Sequence, residues 1–446
     1  MEHQVTYDNN AGLHRVVDEK SLMDLKRIAG KTIEELTSGD MSNILIFPDI
    51  LDKYGDGIKK QKIFKLNECM LETNNIMGFI GINNTELKIH SRFDKNGKDY
   101  FMYYMLQKVF SLNIFDMRHS SGNESILDFV LFLFPYFLKK AVNQGLYKMY
   151  LRRSYNDSNV QGVIDISRHI KKNIPFNGKI AYSKREYSYD NQITELVRHT
   201  IEYLKIHPWG NLILHNDSET ESAVMQIIMS TPTYNIKLRQ SVINDNVKPV
   251  GHPYYTEYTN LQKLCLQILK YEGLKYGYDK DKVYGMLFDG AWLWEEYIAT
   301  ILNKIGFAHP KNKEQKGGIF LFSNGKYKRY PDFIKTGFII DAKYKRLENR
   351  DELSRNDIHQ IISYMYIQKA LKGGFIYPVE KENDMCDSVN KIGDLNGYGG
   401  EIMLYGLKIP QEACSFKDFC SIIACSEDEL KTRISYDFCF FQEILT

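Results

Sequence analysis

The sequence lacks the P-loop pattern G-x-x-x-x-G-K-[ST] anywhere in its 446 residues. A nucleotide cradled by such a loop is therefore not an expected ligand of this chain. It also lacks a zinc framework. Its seven cysteines are odd in number and scattered, and Cys414, Cys420 and Cys425 are too far apart for a zinc knuckle, with no His pair nearby. That usage predicts reduced, buried cysteines in a cytoplasmic protein. Long apolar runs are missing. The longest, Ile126 to Leu138, is interrupted by Asp128 and Pro135 and is too short to cross a bilayer, so a buried helix is expected there. The polar start, Met1 to Gln4, predicts no secretory signal peptide. Charge of one sign is missing too: the formal net charge is +2, so any nucleic-acid contact must come from local patches. Internal repeats and low-complexity segments are absent.

What is present is ordinary for a globular protein: 43% hydrophobic and 26% charged residues. The length suggests two to four domains. Ser21–Ile28 and Thr32–Leu36 read as short helices. Ile44–Phe47, Lys62–Leu66, Ile76–Ile82 and Glu86–Ile89 read as strands, the last two joined by an Asn83-Asn84-Thr85 turn. Tyr100–Phe110 and Ile126–Ala141 read as helices, and helices dominate again over Asn191–Ile206 and Asn260–Tyr271. Gly145–Arg153 interleaves Tyr147 and Tyr150 with Lys148, Arg152 and Arg153. That pattern suits a phosphate contact or a solvated face. Tyr276–Lys282 reads as a linker.

Tyr330 to Lys343 is the most informative stretch. It reads as two short strands around a Lys335-Thr336-Gly337 turn, with Pro331-Asp332 opening the first. The second is apolar from Phe338 to Ile340 and ends in Asp341-Ala342-Lys343. Side chains alternate along a strand, so Asp341 and Lys343 share a face. Two opposite charges closing an apolar strand are costly to bury without a purpose. A divalent cation supplies one. Asp332 and Asp341 offer hard oxygen donors, and Lys343 stands beside an attacking water or a scissile phosphate. The pattern is that of PD-(D/E)xK metal-dependent nucleases. A surface hairpin with an ordinary ion pair is the competing reading. Pro48-Asp49 and Asp18-Glu19-Lys20 match fragments of the pattern, but neither has all the parts in order.

The flanks extend the site. Leu293, Tyr297, Ile298 and Ile301 mark the apolar stripe of a helix over Ala291–Leu302. Glu295 and Glu296 each edge that stripe, so periodicity leaves open which one completes a metal site and which faces solvent. Downstream, a helix over Asn356–Tyr366 places Asp357, Gln360 and Tyr364 on one face, suited to phosphate or metal-bound water, or to a polar helix flank. Gly374–Pro378 and Ile402–Leu407 read as further strands, which makes the last third an α/β pattern.

Taken together, these motifs resemble the McrC family, the nuclease subunit of McrBC-type modification-dependent restriction systems, and its LlaJI-like relatives. The likeness rests on Leu293-Trp294-Glu295, Tyr330-Pro331-Asp332, Asp341-Ala342-Lys343 and Asp357 to Tyr364. Upstream it rests on Gly81–Ile89, on Val160–Asp165, where Gln161 replaces the usual Arg, and on Tyr189–Arg198, where the Asp–Asn spacing is shorter. The resemblance implies an α+β, multidomain chain. A β-rich partner-docking module would span 1–125, a mainly helical region 126–280, and an α/β PD-(D/E)xK nuclease domain 281–446. It implies Mg2+, with Mn2+ as a substitute, held by Asp332, Asp341, the Ala342 carbonyl and Glu295 rather than Glu296. Lys343, Gln360 and Tyr364 would complete the catalytic set. The implied partners are an McrB-like AAA+ GTPase ring, into which an N-terminal stalk docks, and modified double-stranded DNA. No nucleotide would bind this chain itself, and no membrane is involved. Two other functions stay open on the residues: an activator of a partner NTPase with little cleavage, and a self-sufficient repair nuclease.

Overall fold

The structure is a computed structural model. It describes residues 2–12, 14–37, 42–47, 60–83, 85–95, 97–110, 130–248, 250–275, 283–311, 316–346, 353–380, 390–397 and 399–445. Pro48-Asp49, Asn84 and the linker expected at 276–282 lie outside these residues. The chain is mixed α/β and divides into two compact units, Met1–Asn123 with Asp279–Thr446, and Glu124–Tyr278.

The first segment of the discontinuous unit runs β1 (Glu2–Tyr7), β2 (His14–Arg15), α1 (Glu19–Ile28), α2 (Ile33–Thr37), β3 (Ser42–Phe47), β4 (Phe64–Asn67), β5 (Met70–Thr73), β6 (Ile76–Ile82), β7 (Thr85–His90) and α3 (Tyr100–Phe110). The Asp18 carboxylate caps α1 by accepting from the Ser21 backbone N–H at 2.6 Å. The second unit carries α4 (Phe134–Asn143), β8 (Met149–Asp157), β9 (Val163–Ile164), α5 (Ile166–Asn173), β10 (Ile180–Ser188), α6 (Gln192–Ile206), α7 (Gly210–Leu214), α8 (Ser218–Ser230), α9 (Arg239–Asp245) and α10 (Glu257–Lys275). The discontinuous unit then resumes with β11 (Val283–Asp289), α11 (Gly290–Leu302), β12 (Ile319–Phe320), β13 (Lys328–Arg329), β14 (Phe333–Lys335), β15 (Phe338–Ala342), α12 (Arg355–Gln368), β16 (Lys372–Val379), β17 (Asn390–Asp394), β18 (Glu401–Lys408) and α13 (Phe416–Leu445).

Residues 1–125 and 281–446, expected as separate domains, share a sheet. Its order is β1-β7-β6-β11-β3. β11 pairs antiparallel with β6 and parallel with β3, Val283 standing opposite Ser42. Every residue of β6 is buried, as expected of a central strand covered on both faces. Gly78 is required there: its φ is +119°, and a Cβ would stand 2.1 Å from the Met286 carbonyl oxygen. β11 runs straight into α11, whose first turn is capped by Asp289 accepting from Ala291 and Trp292. Leu293, Trp294, Tyr297, Ile298 and Ile301 of α11 are buried, so the helix emerges from the sheet with its two acids at fixed positions.

The second large sheet has the order β14-β15-β16-β18-β17. β14 and β15 form the expected hairpin, with Phe333 opposite Ile340 and Lys335 opposite Phe338. Gly337 takes the turn at φ +79°. β15 and β16 are parallel, joined through α12, which lays Ile361 and Met365 into a core with Ile339, Phe375 and Leu404.

The second unit is not purely helical. α4, α6, α8 and α10 pack together, but β8 and β10 pair over nine positions, Met149–Asp157 against Ile180–Ser188, and β9 extends the sheet. Of Gly145–Arg153, Met149 to Arg153 lie on β8, where Tyr150 meets its cross-strand partner Tyr187 with ring centroids 4.8 Å apart; Tyr147 precedes the strand and is buried. The helix expected over Ile126–Ala141 has a break at Leu133, just before Pro135, and continues as α4; residues 126–129 lie outside the described set. Cys265 and Cys420 are buried as expected, whereas Cys414 and Cys425 are exposed. Among the described residues, no helix is long and apolar enough to cross a membrane.

Candidate active site

The site lies at the open end of the β14–β15 hairpin. β15 is buried through Asp341, which is 2% exposed. Lys343 follows one alternation later, its backbone N–H on the Ile376 carbonyl at 2.8 Å, and its ammonium reaches Asp341 Oδ2 at 2.6 Å. Asp332 precedes β14. Its Oδ2 accepts from the Ala342 backbone N–H at 2.7 Å. The two acids and the lysine predicted from the sequence are therefore brought together by the hairpin register.

The electrostatics are unbalanced. Burial, then the charges of Asp341 and Glu295, push the Asp332 carboxyl well above the usual carboxylate range, against the Ala342 N–H and Lys343. Burial raises Asp341 as well, with Lys343 opposing. Burial alone would lower the Lys343 ammonium, but Asp341, Asp332 and Asp357 outweigh it and raise it, so Lys343 stays protonated. Lys343 also serves Asp357 Oδ1 at 3.2 Å. Lys345 donates to the other Asp357 oxygen at 2.6 Å. Burial would raise Asp357, but Lys345, Lys343 and its Ser354 partner hold it down to about 2.

The two helical glutamates differ in their surroundings. Glu296 lies 3.6 Å from His309 Nε2 and 3.7 Å from Lys311 Nζ. Burial would raise its carboxyl, but these two partners keep it below the usual range. Glu295 stands farther from His309, at 3.9 Å, and is the helical acid whose charge bears on Asp332. His309 ties the group together. Its Nδ1–H donates to the Asp332 carbonyl at 2.8 Å, and its ring stacks on Phe333 at 5.1 Å. Burial would lower its pKa, but Glu296 and the Asp332 carbonyl raise it.

On α12, Gln360 Nε2 donates to the Tyr364 hydroxyl at 3.1 Å. Tyr364 is raised by burial against the opposing Gln360 hydrogen bond, with the charges of Asp341 and Asp332 adding to the shift and Arg329 opposing it. The sequence reading missed His309 and Lys345. His309 sits in an irregular segment held by the Ala308–Ile334 bridge, where no periodicity marks it. Lys345 lies two residues past Lys343 and could have been found by extending the strand alternation.

Asp332 and Asp341, with the charge of Glu295 bearing on Asp332, set carboxylates against the Lys343 ammonium that Asp357 also claims. The donors are all oxygen. This arrangement fits a hard divalent cation.

Comparisons with known proteins agree with the motifs. A family model described as McrBC 5-methylcytosine restriction system component matches residues 71–378. No curated protein matches the sequence. Among solved structures, a chain from the half-complex of Thermococcus gammatolerans McrB AAA+ hexamers with bound McrC aligns over 98% of this chain and 100% of its own. Identity there is 15% and the TM-score 0.52, a likeness of fold. A chain from the cryo-EM structure of the Thermococcus gammatolerans McrBC complex covers 68% of this chain and 88% of its own, at 14% identity. Its TM-score of 0.35 is too low to compare folds. With well over half of its length matched by that family model, the chain belongs to the family of McrBC 5-methylcytosine restriction system components.

Proposed function

We propose that this chain is the Mg2+-dependent DNA-cleaving subunit of a McrBC-type system, hydrolysing phosphodiester bonds together with an McrB-like AAA+ GTPase ring. The observation that carries the reading is the convergence of Asp332, Asp341 and Lys343 at one end of the β14–β15 hairpin, with the charge of Glu295 bearing on Asp332. Asp332, Asp341, Glu295 and the Ala342 carbonyl would hold Mg2+, with Mn2+ as a substitute. When bound, that cation polarises the phosphoryl oxygen and lowers the pKa of a water.

The chain's own groups do the rest. Lys343, kept protonated by its acidic neighbours, orients the water and stabilises charge developing on the phosphorane. Asp357 limits how far the ammonium can move. Gln360 and Tyr364, joined by their own hydrogen bond on α12, would position a phosphate oxygen through the amide and the hydroxyl. Uncatalysed phosphodiester hydrolysis is slow enough that all of these contributions are needed.

The missing P-loop assigns nucleotide hydrolysis to the partner, and the McrB hexamers with bound McrC in the fold neighbour support a ring of that kind. Partner docking is assigned to the N-terminal half, residues 1 to about 160. A cut at 160 would split β8 from β10 and strip β11 from its sheet, so docking is to be mapped by surface substitutions in the full chain.

The deciding experiment is plasmid cleavage by the full chain with its ring partner, Mg2+ and GTP. Loss of cleavage in Asp341→Ala, with GTP hydrolysis by the ring still stimulated, is the expected result. Full cleavage by that variant would overturn the assignment. Stimulation without cleavage by the wild-type chain would favour an activator role instead.

A further inference from the structure

A second set of donors gathers at the far end of β7. His90 closes that strand, and Asp94 and Asp99 follow in the connection to α3. One donor atom from each of the three lies within 4.8 Å of the others. His90 Nδ1 is 3.3 Å from Asp94 Oδ2. The Ser91 backbone N–H donates to Asp99 Oδ1 at 3.1 Å. The other Asp99 oxygen, Oδ2, is buried and has no hydrogen-bond partner, in a residue only 1% exposed. An unpartnered buried carboxylate oxygen is costly. Burial accordingly pushes the Asp99 carboxyl up to about 7, with Asp94 and Asp8 adding to the shift and His90 opposing it.

The neighbouring cations are engaged elsewhere. Arg92 gives its guanidinium to Asp8 and Asn75. Lys95 pairs with Glu380 at 2.8 Å, and Lys88 lies 3.8 Å from Glu86. Tyr7 closes one side, its ring edge-on to His90 at 6.2 Å. The Asp94 side chain is 8% exposed and that of His90 7%, a narrow opening toward solvent.

We propose that His90, Asp94 and Asp99 form a site for a divalent transition cation, distinct from the hairpin site. One imidazole with two carboxylates suits Zn2+ or Mn2+. The nitrogen donor disfavours Mg2+, and the absence of sulfur disfavours soft ions. By the usual order of stabilities, Zn2+ binds more tightly than Mn2+. The role is structural. Ser91, between the donors, hydrogen-bonds the Tyr344 hydroxyl at 2.8 Å, and Tyr344 directly follows Lys343. A cation there fastens the 91–99 connection, and through Tyr344 the end of the strand that carries Lys343.

The test uses the full chain carrying Asp332→Asn and Asp341→Asn, which silence the hairpin site, after chelation of metals. Titration with ZnCl2 followed by calorimetry and by thermal melting is expected to show one equivalent bound and a rise in Tm. Adding Asp99→Asn or His90→Gln should weaken that binding by at least about tenfold. Zn2+ binding that neither substitution changes, or no binding by the parent, overturns the proposal. Melting without metal keeps the test decisive. Asn removes the unpartnered charge, so Asp99→Asn should melt at or above its parent. A marked drop would show that Asp99 serves only as the ionic partner of His90, and would also overturn the site.

Discussion

The backbone N–H of Ala342 donates to Asp332 Oδ2 at 2.7 Å, so the residue between Asp341 and Lys343 holds the first acid of the hairpin in place. The spacing of the two carboxylates is thereby written into the β14–β15 register rather than left to side-chain rotamers. A rigid strand pair holds a charge constellation that water would otherwise pull apart. The consequence is a folded state that carries repulsion: Asp332 is raised by burial and by two neighbouring acids.

That repulsion separates stability from activity. Asp332→Asn keeps the shape and the acceptor for Ala342 while removing an acid whose ionisation burial and its neighbours oppose. Without Mg2+ the variant should melt at or above wild type. Its cleavage with the ring partner should fall by about a thousandfold or more, since metal-centred charge stabilisation is worth several kcal/mol. Melting curves and plasmid cleavage measured on one preparation check both halves. Lower stability together with lost cleavage would point to an ordinary structural acid.

The hairpin, α11 and α12 were legible because each follows from short-range rules: strand alternation, a Gly turn, and stripes at helical spacing. The expected helix Ala291–Leu302 and the observed Gly290–Leu302 differ by one residue. The sheet joining β3, β6 and β11 was not legible. Val283 meets Ser42 across most of the chain, and no local period encodes such a pairing. β1 was missed for the same reason: its strand character comes from parallel pairing with β7, not from its own polar sequence. Periodicity could not rank Glu295 against Glu296, because the difference lies in His309 and Lys311, which arrive from an irregular segment.

The glutamates give the next prediction. Glu296 is held by His309 and Lys311, while Glu295 acts on Asp332. Glu295→Gln should therefore reduce cleavage strongly and shift the Mg2+ dependence to higher concentration. Glu296→Gln should leave the Mg2+ dependence near wild type and instead lower the melting temperature, through a buried histidine stripped of its partner. Mg2+ titrations of cleavage decide it, and the reverse ranking would assign the helical acid to Glu296.

Gly78 tests the shared sheet. A Cβ there would stand 2.1 Å from the Met286 carbonyl oxygen, on a backbone at φ +119°. Strain and overpacking together should cost roughly 2 to 5 kcal/mol in Gly78→Ala. The substitution lies in the first segment but should destabilise the unit that carries the hairpin site. A denaturation midpoint equal to wild type would show that β11 does not lie against β6 as described.

His199 sets the acid limit of the second unit. It is 3% exposed on α6, with its ring 4.7 Å from that of Tyr234. Burial, then Arg239 and Arg198, lower its pKa from the ordinary 6.5 to about 4. The unfolded chain takes up a proton near 6.5, and the folded chain does so only near 4. Its contribution is therefore full above pH 6.5, is lost progressively as the pH falls toward 4, and changes no further below that. His199→Phe keeps a ring in the site and cannot titrate. Wild type should lose more stability than this variant between pH 7 and pH 4.5, whatever the two differ by at pH 7. Urea midpoints at the two pH values give that double difference, which cancels the packing cost of the substitution. Equal losses in both proteins would show that His199 takes up its proton in the folded state as readily as in the unfolded one.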